Sequence, residues 1–151
     1  MPEKNFVQKA VQKHGRERKN LIPVLQDIVK EYSYLSEKAM TEVARELDIS
    51  PAEVYGVASF YSFLDTKPLG KNIIRICKTI ICYMHGQDEI VKAIEEKLKI
   101  KLGDTTPDGK FSFLPTNCIG HCHKGPAMLV NDRVYSSLTP EKAVAALEEY
   151  L

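Results

Sequence analysis

Neither sign of charge dominates this chain: 21 Lys and Arg stand against 20 Asp and Glu, and on the two sides of Gly70 the counts are 10 against 10 and 11 against 10. With no basic surplus, nucleic acid is not an expected partner, because binding it rests on Lys and Arg neutralising phosphates. No stretch approaches the roughly 18 apolar residues of a membrane span. Met1 to Lys19 alternates charges with single apolar residues and has no leader-like apolar core, so a cytoplasmic protein without direct membrane insertion is expected. The dinucleotide fingerprint G-x-G-x-x-G is missing. The nearest phosphate-loop likeness, Gly103 to Lys110, has five residues between its glycines where four are needed, and Phe111 where Ser or Thr is needed. Cys-x-x-Cys is missing too, which argues against thioredoxin-type dithiol chemistry and against the tight knuckle of structural zinc. There is no internal repeat and no low-complexity segment.

The remaining composition, 44% hydrophobic and 27% charged over 151 residues, is that of one globular domain or two small ones, not of a collagen, coiled-coil or disordered chain. A chain of this length buries roughly 70% of its unfolded surface without help from a metal or disulfide. Its four cysteines therefore need a separate reason.

Up to Lys67 the pattern is helical. Phe6, Val7, Ala10 and Val11, then Leu21, Leu25, Ile28 and Val29, then Met40, Val43, Ala44 and Leu47 recur at three- and four-residue intervals. Ser36 before Glu37, and Ser50 before Pro51, have the form of N-caps. The second cap predicts a helix from Pro51 to about Phe63, apolar nearly all round, that serves either as core or as a docking face. Pro68-Leu69-Gly70 marks a boundary, giving expected domains of 1–68 and 69–151.

Beyond it, Lys71 to Cys77 is a strand candidate, Gln87 to Lys99 a helix, and Lys110 to Pro115 a second strand, preceded by a turn at Asp108-Gly109. Ala127 to Val130 and Arg133 to Ser136 flank a hairpin turn at Asn131-Asp132, and Pro140 to Tyr150 forms a last helix. The expected order is β-α-β-β-β-α, a small α/β layer after a helical bundle.

All four cysteines lie in this second part, as Cys77-x4-Cys82 and Cys118-x3-Cys122 with 35 residues between the pairs, each pair in a loop that follows a strand. Four thiolates suit a 2Fe-2S cluster, two to each iron. On ligand type alone a four-thiolate zinc site also remains open, as do plain buried thiols.

Cys77-x4-Cys82-x3-Gly86, the stretch Gly103-Asp104-Thr105-Thr106-Pro107-Asp108-Gly109-Lys110-Phe111, and Cys118-Ile119-Gly120-x-Cys122-x3-Pro126 resemble, in order and spacing, the thioredoxin-like 2Fe-2S ferredoxin family. Pro23-Val24-Leu25-Gln26-Asp27-Ile28 and Glu53-Val54-Tyr55-Gly56-Val57-Ala58-Ser59-Phe60-Tyr61 look like the family's helical domain, so the resemblance covers nearly the whole chain. It implies an α/β fold in which an N-terminal helical bundle precedes a thioredoxin-like ferredoxin domain. It also implies a 2Fe-2S cluster held by Cys77, Cys82, Cys118 and Cys122, with Gly86, Gly120 and Pro126 shaping the loops.

The family includes the small iron-sulfur subunits, of the E type, that belong to NADH-oxidising modules in respiratory complex I, NAD-linked or electron-bifurcating hydrogenases and formate dehydrogenases. By resemblance the chain is an electron-transfer subunit of an NAD-dependent oxidoreductase, with no complete active site of its own. FMN and NAD would sit on an NADH-binding flavoprotein partner of the F type, accompanied by further iron-sulfur subunits. The alternatives are a free-standing ferredoxin shuttle and a zinc-stabilised interaction module. Where the family commonly has Cys-Leu-Gly-Ala-Cys, this chain has Cys118-Ile119-Gly120-His121-Cys122 followed by His123 and Lys124. These are either solvated loop residues or positive charges favouring the reduced cluster. His85 is a weaker candidate.

Overall fold

The computed structural model describes residues 2–151, in two compact units that meet in sequence between Pro68 and Leu69. The first unit is helical: α1 (Pro2–His14), a 3-10 turn (Arg18–Asn20), α2 (Leu21–Tyr32), α3 (Glu37–Glu46) and α4 (Pro51–Phe60). The residues spaced at three and four form its core, with Val7, Val11, Leu25, Ile28, Val43 and Val54 all buried. Burying one such aliphatic side chain contributes about 1.5–3 kcal/mol, which outweighs the weak helix preference of the β-branched residues among them. Ser36 Oγ accepts from the Ala39 amide at 3.0 Å, and Ser50 Oγ from the Glu53 amide at 3.1 Å, so both expected caps form.

α4 ends three residues before its expected limit. Tyr61 is extended at φ −90° and ψ 120°, and Leu64 turns back into the core, its amide bonded to the Tyr61 carbonyl at 3.0 Å. Ser59, Phe60, Tyr61, Ser62 and Phe63 are all modest helix formers, and seating Leu64 decides the outcome. Only Val54 and Ala58 of α4 are buried, and Tyr55, Phe60, Tyr61 and Phe63 are exposed.

The second unit contains β1 (Asn72–Cys77), α5 (Ile80–Met84), α6 (Gln87–Leu98), β2 (Phe111–Thr116), β3 (Met128–Val130), β4 (Arg133–Tyr135) and α7 (Pro140–Glu148). The four strands lie in the order β2-β1-β3-β4, with β1 and β2 parallel and the remaining pairs antiparallel. Ile74 stands opposite both Phe113 and Val130, and Ile76 stands opposite Met128. Alternation puts these side chains on one face, where they form a core with Ile90 and Ile94 of α6 and Ala143 and Leu147 of α7.

The observed order has one helix more than the sequence pattern predicts: α5 occupies the stretch between Cys77 and Gly86. Five residues are too few to show a helical period. Among the described residues no helix is long and apolar enough to cross a membrane.

Candidate metal centre

The parallel pairing of β1 and β2 builds the site. Their register places Cys77 beside Thr116, so both strands end together, and the Lys78 amide bonds to the Thr116 carbonyl at 3.0 Å. Cys118 follows two residues later and therefore begins its loop at the same end of the sheet. The approach to β3 arrives there as well, because the Cys77 amide donates to the Ala127 carbonyl at 3.1 Å. Cys77 closes β1, Cys82 lies on α5, and Cys122 opens a 3-10 turn over Cys122–Lys124. Cys82 is thus held on a helix and not, as its spacing suggests, in a flexible loop.

The sulfurs meet as two pairs. Cys118 Sγ and Cys122 Sγ are 3.1 Å apart, and Cys77 and Cys82 lie close enough for each to shift the ionisation of the other. Cys77 and Cys82 are buried, Cys122 is half-buried and Cys118 is exposed, with all four thiols free. Among the described residues no three His, Cys, Asp or Glu side chains converge on a single point to hold one metal ion.

Backbone amides face the sulfurs. The Gly120 amide donates to Cys118 Sγ at 3.4 Å, and the amides of Thr79 and Ile119 near Cys77 and of Ala127 near Cys82 favour the ionised sulfur. Gly120 reaches this position with φ at 84°, in the left-handed region that glycine enters at no steric cost. Gly86, at φ 90°, ends the α5 segment and starts α6, and the Gly125–Pro126 bond preceding β3 is cis. Two of the three loop residues named from the sequence, Gly86 and Gly120, thus take left-handed backbone.

The thiols respond to this setting in different directions. Burial opposes ionisation of Cys77. Hydrogen bonds from the Thr79 hydroxyl and amide, the Cys82 thiol and the Ile119 amide outweigh that effect and hold Cys77 below the ordinary thiol value. Burial pushes Cys82 up, helped by the hydrogen bond to Cys77 and its charge. The Cys122 thiol is raised by its bond to Cys118, then by desolvation and by the negative charge of Cys118, Cys82 and Cys77. Each pair thus feels the other. Bringing four thiolates this close is costly unless cationic metal offsets their repulsion, and a bound metal holds thiols deprotonated. Four sulfurs in two pairs, each pair receiving amide donors, fit a dinuclear iron-sulfur cluster, whose irons take two thiolates each.

His121 and His123 stack with ring centroids 5.9 Å apart and planes inclined by 22°. His121 Nδ1 is shielded from solvent and has no hydrogen-bond partner among the described residues, whereas His123 is exposed. His85 is occupied locally, its Nδ1 lying 2.7 Å from the Ile81 carbonyl oxygen. Sequence reasoning misses Thr79, whose Oγ1 lies 3.1 Å from Cys77 Sγ. A hydroxyl two residues after a candidate ligand cysteine is the available signal. The amides of Ile119, Gly120 and Ala127 carry no side-chain signature by which a sequence could reveal them.

Residues 7–151 match the thioredoxin-like 2Fe-2S ferredoxin family. The chain is 43% identical over 129 residues to the E-type subunit of the NADH-quinone oxidoreductase of Buchnera aphidicola subsp. Acyrthosiphon pisum, covering 85% of this chain and 80% of that one. It is 37% identical over 145 residues to HndA, a subunit of the NADP-reducing hydrogenase of Solidesulfovibrio fructosivorans, covering 96% and 82%. A solved NAD+-reducing NiFe hydrogenase has a chain with the same fold, at a TM-score of 0.76 and 24% identity, covering 89% of this chain. The present chain spans about a quarter of that longer one, 23% of its length.

Proposed function

Because the chain belongs to the thioredoxin-like 2Fe-2S ferredoxin family, we propose that Cys77, Cys82, Cys118 and Cys122 hold its 2Fe-2S cluster and that it serves as the small electron-carrier subunit of an NAD-linked oxidoreductase. The observation that carries this reading is the convergence of all four cysteines, in two pairs with amide donors, at one end of the β1–β2 pair. When bound, a 2Fe-2S cluster supplies one-electron chemistry, which complements a flavin that takes two electrons from a hydride and releases them singly.

The residues of this chain have three tasks. The thiolates provide the ligand set. The amides of Thr79, Ile119, Gly120 and Ala127 offset negative charge on sulfur. α5 limits water around Cys82, which is buried, while Ile80, Ile81, Tyr83 and Met84 of the same helix stand exposed. An apolar collar beside a redox group suits a lasting contact with a protein partner more than solvent. That partner is a flavoprotein that carries FMN and oxidises NADH, and further iron-sulfur subunits complete the assembly. The names of the relatives, one from a quinone oxidoreductase and one from a hydrogenase, support membership of such a complex.

The test is anaerobic purification of the full chain from its own cells by a tag. An FMN-containing protein should accompany it in equal amount, and NADH should bleach the chain's visible absorption within the complex. A chain that carries iron but purifies without flavoprotein would be a free-standing shuttle. One that carries zinc would be an interaction module.

A further inference from the structure

Thr79 is the N-cap residue of α5, with the extended backbone usual there, φ −76° and ψ 158°. From that position a Ser or Thr hydroxyl ordinarily accepts a hydrogen bond from an amide in the first helical turn. Ser36, Ser50 and Thr139 do so in α3, α4 and α7, accepting from Ala39, Glu53 and Lys142 at 3.0, 3.1 and 3.3 Å. Thr79 makes no such cap bond. Its Oγ1 instead lies 3.1 Å from Cys77 Sγ.

A metal-bound thiolate carries no proton and can only accept, so in the loaded protein the hydroxyl is the donor. We propose that Thr79 is a potential-setting residue, its hydroxyl diverted from helix capping to donate a hydrogen bond to the Cys77 sulfur and so raise the reduction potential of the 2Fe-2S cluster. The inference rests on the cluster assignment above. Its physical basis is that one added electron increases the negative charge on the ligand sulfurs, so a fixed donor stabilises the reduced state more than the oxidised one. The hydroxyl keeps its proton throughout, and the electron comes from the mediator or partner that reduces the site. The Thr79 bond lies at the buried pair, where little water competes, whereas the Gly120 amide serves the exposed Cys118.

The test is an EPR-monitored redox titration of the full, cluster-loaded chain as parent, T79V, T79A and T79S, with iron content and thermal unfolding measured alongside. T79V and T79A should show about a tenfold smaller equilibrium constant for reduction, a downward shift of about 59 mV for a one-electron couple. T79S, which retains the hydroxyl, should remain near the parent. An unchanged potential in T79V overturns the proposal, and so does a T79S shift as large as that of T79V, since a merely structural threonine would behave that way. If T79V does not fold, T79A supplies the same comparison. If the parent itself takes up no iron and sulfide, the cluster assignment fails and this inference fails with it. A loaded parent with insensitive variants removes the Thr79 role alone.

Discussion

Cys118 Sγ stands 3.1 Å from Cys122 Sγ on a loop where Cys118 is exposed, while Cys77 and Cys82 pair out of contact with solvent. One half of the proposed ligand set is therefore open and the other closed. In the metal-free chain an alkylating reagent is expected to modify Cys118 first, and Cys77 and Cys82 only after local opening, because reactivity requires access as well as thiolate. Loading with iron and sulfide should protect all four. Mass spectrometry of a labelling time course checks both the order and the protection.

The apolar collar of α5 yields a second expectation. Met84 is 75% exposed and Ile80 67%, so replacing both with Glu leaves the core untouched. Cluster content should stay that of the parent, while affinity for the proposed flavoprotein partner falls at least about tenfold, about 1.4 kcal/mol. Binding measured by calorimetry or by co-elution decides this, and unchanged affinity would move the interface elsewhere.

Gly70 is required by a close approach and not by its backbone angles. A Cβ there would lie 2.7 Å from the Phe111 carbonyl carbon and 2.9 Å from its nitrogen, at a point where the Gly70 amide donates to Ser112 Oγ at 2.7 Å. Both atoms are backbone and cannot swing away. G70A should cost about 1–3 kcal/mol, the range for overpacking a filled site. Urea unfolding of the loaded chain measures it.

Asp27 makes the first unit sensitive to acid. Its carboxyl is held below the ordinary value of 3.8 by hydrogen bonds from Lys13 and His14, at 2.7 and 2.8 Å. A carboxylate whose folded value is lowered contributes stability that is complete above the unfolded value and is lost as pH falls through the folded one. The stabilisation from Asp27 should thus be present at pH 5 and disappear below about pH 4. D27N should melt lower than the parent at neutral pH, and the gap should close in that acid range. Thermal melts by circular dichroism from pH 7 to pH 2 test the sign.

What is legible in the sequence follows from what leaves a periodic or spaced trace. The core positions of α1 to α3 repeat every three or four residues, and the strand ending at Cys77 shows as a short β-branched run, so the helical stretch and the strand, the latter near its observed limits, are both predicted. The cysteine spacing points to the proposed ligands, and the parallel register brings the ends of the strands that lead to Cys77 and Cys118 together. Three features have no such trace. α5 is shorter than two helical turns. α4 stops at Phe60 because Leu64 is drawn into the core, a tertiary demand that local preference does not encode. Thr79 has the sequence form of an ordinary cap, and only the direction of its hydroxyl distinguishes it from Ser36 and Ser50.

On the reading proposed above, the four thiols hold one 2Fe-2S cluster. The most direct test is iron, acid-labile sulfide and zinc content of the anaerobically purified full chain, with its EPR spectrum after dithionite reduction. The account predicts about two irons and two sulfides per chain with a signal from one unpaired electron, lost when Cys77 or Cys118 is replaced by Ala. One tightly bound zinc, with no sulfide and no signal after attempted reconstitution, would contradict it.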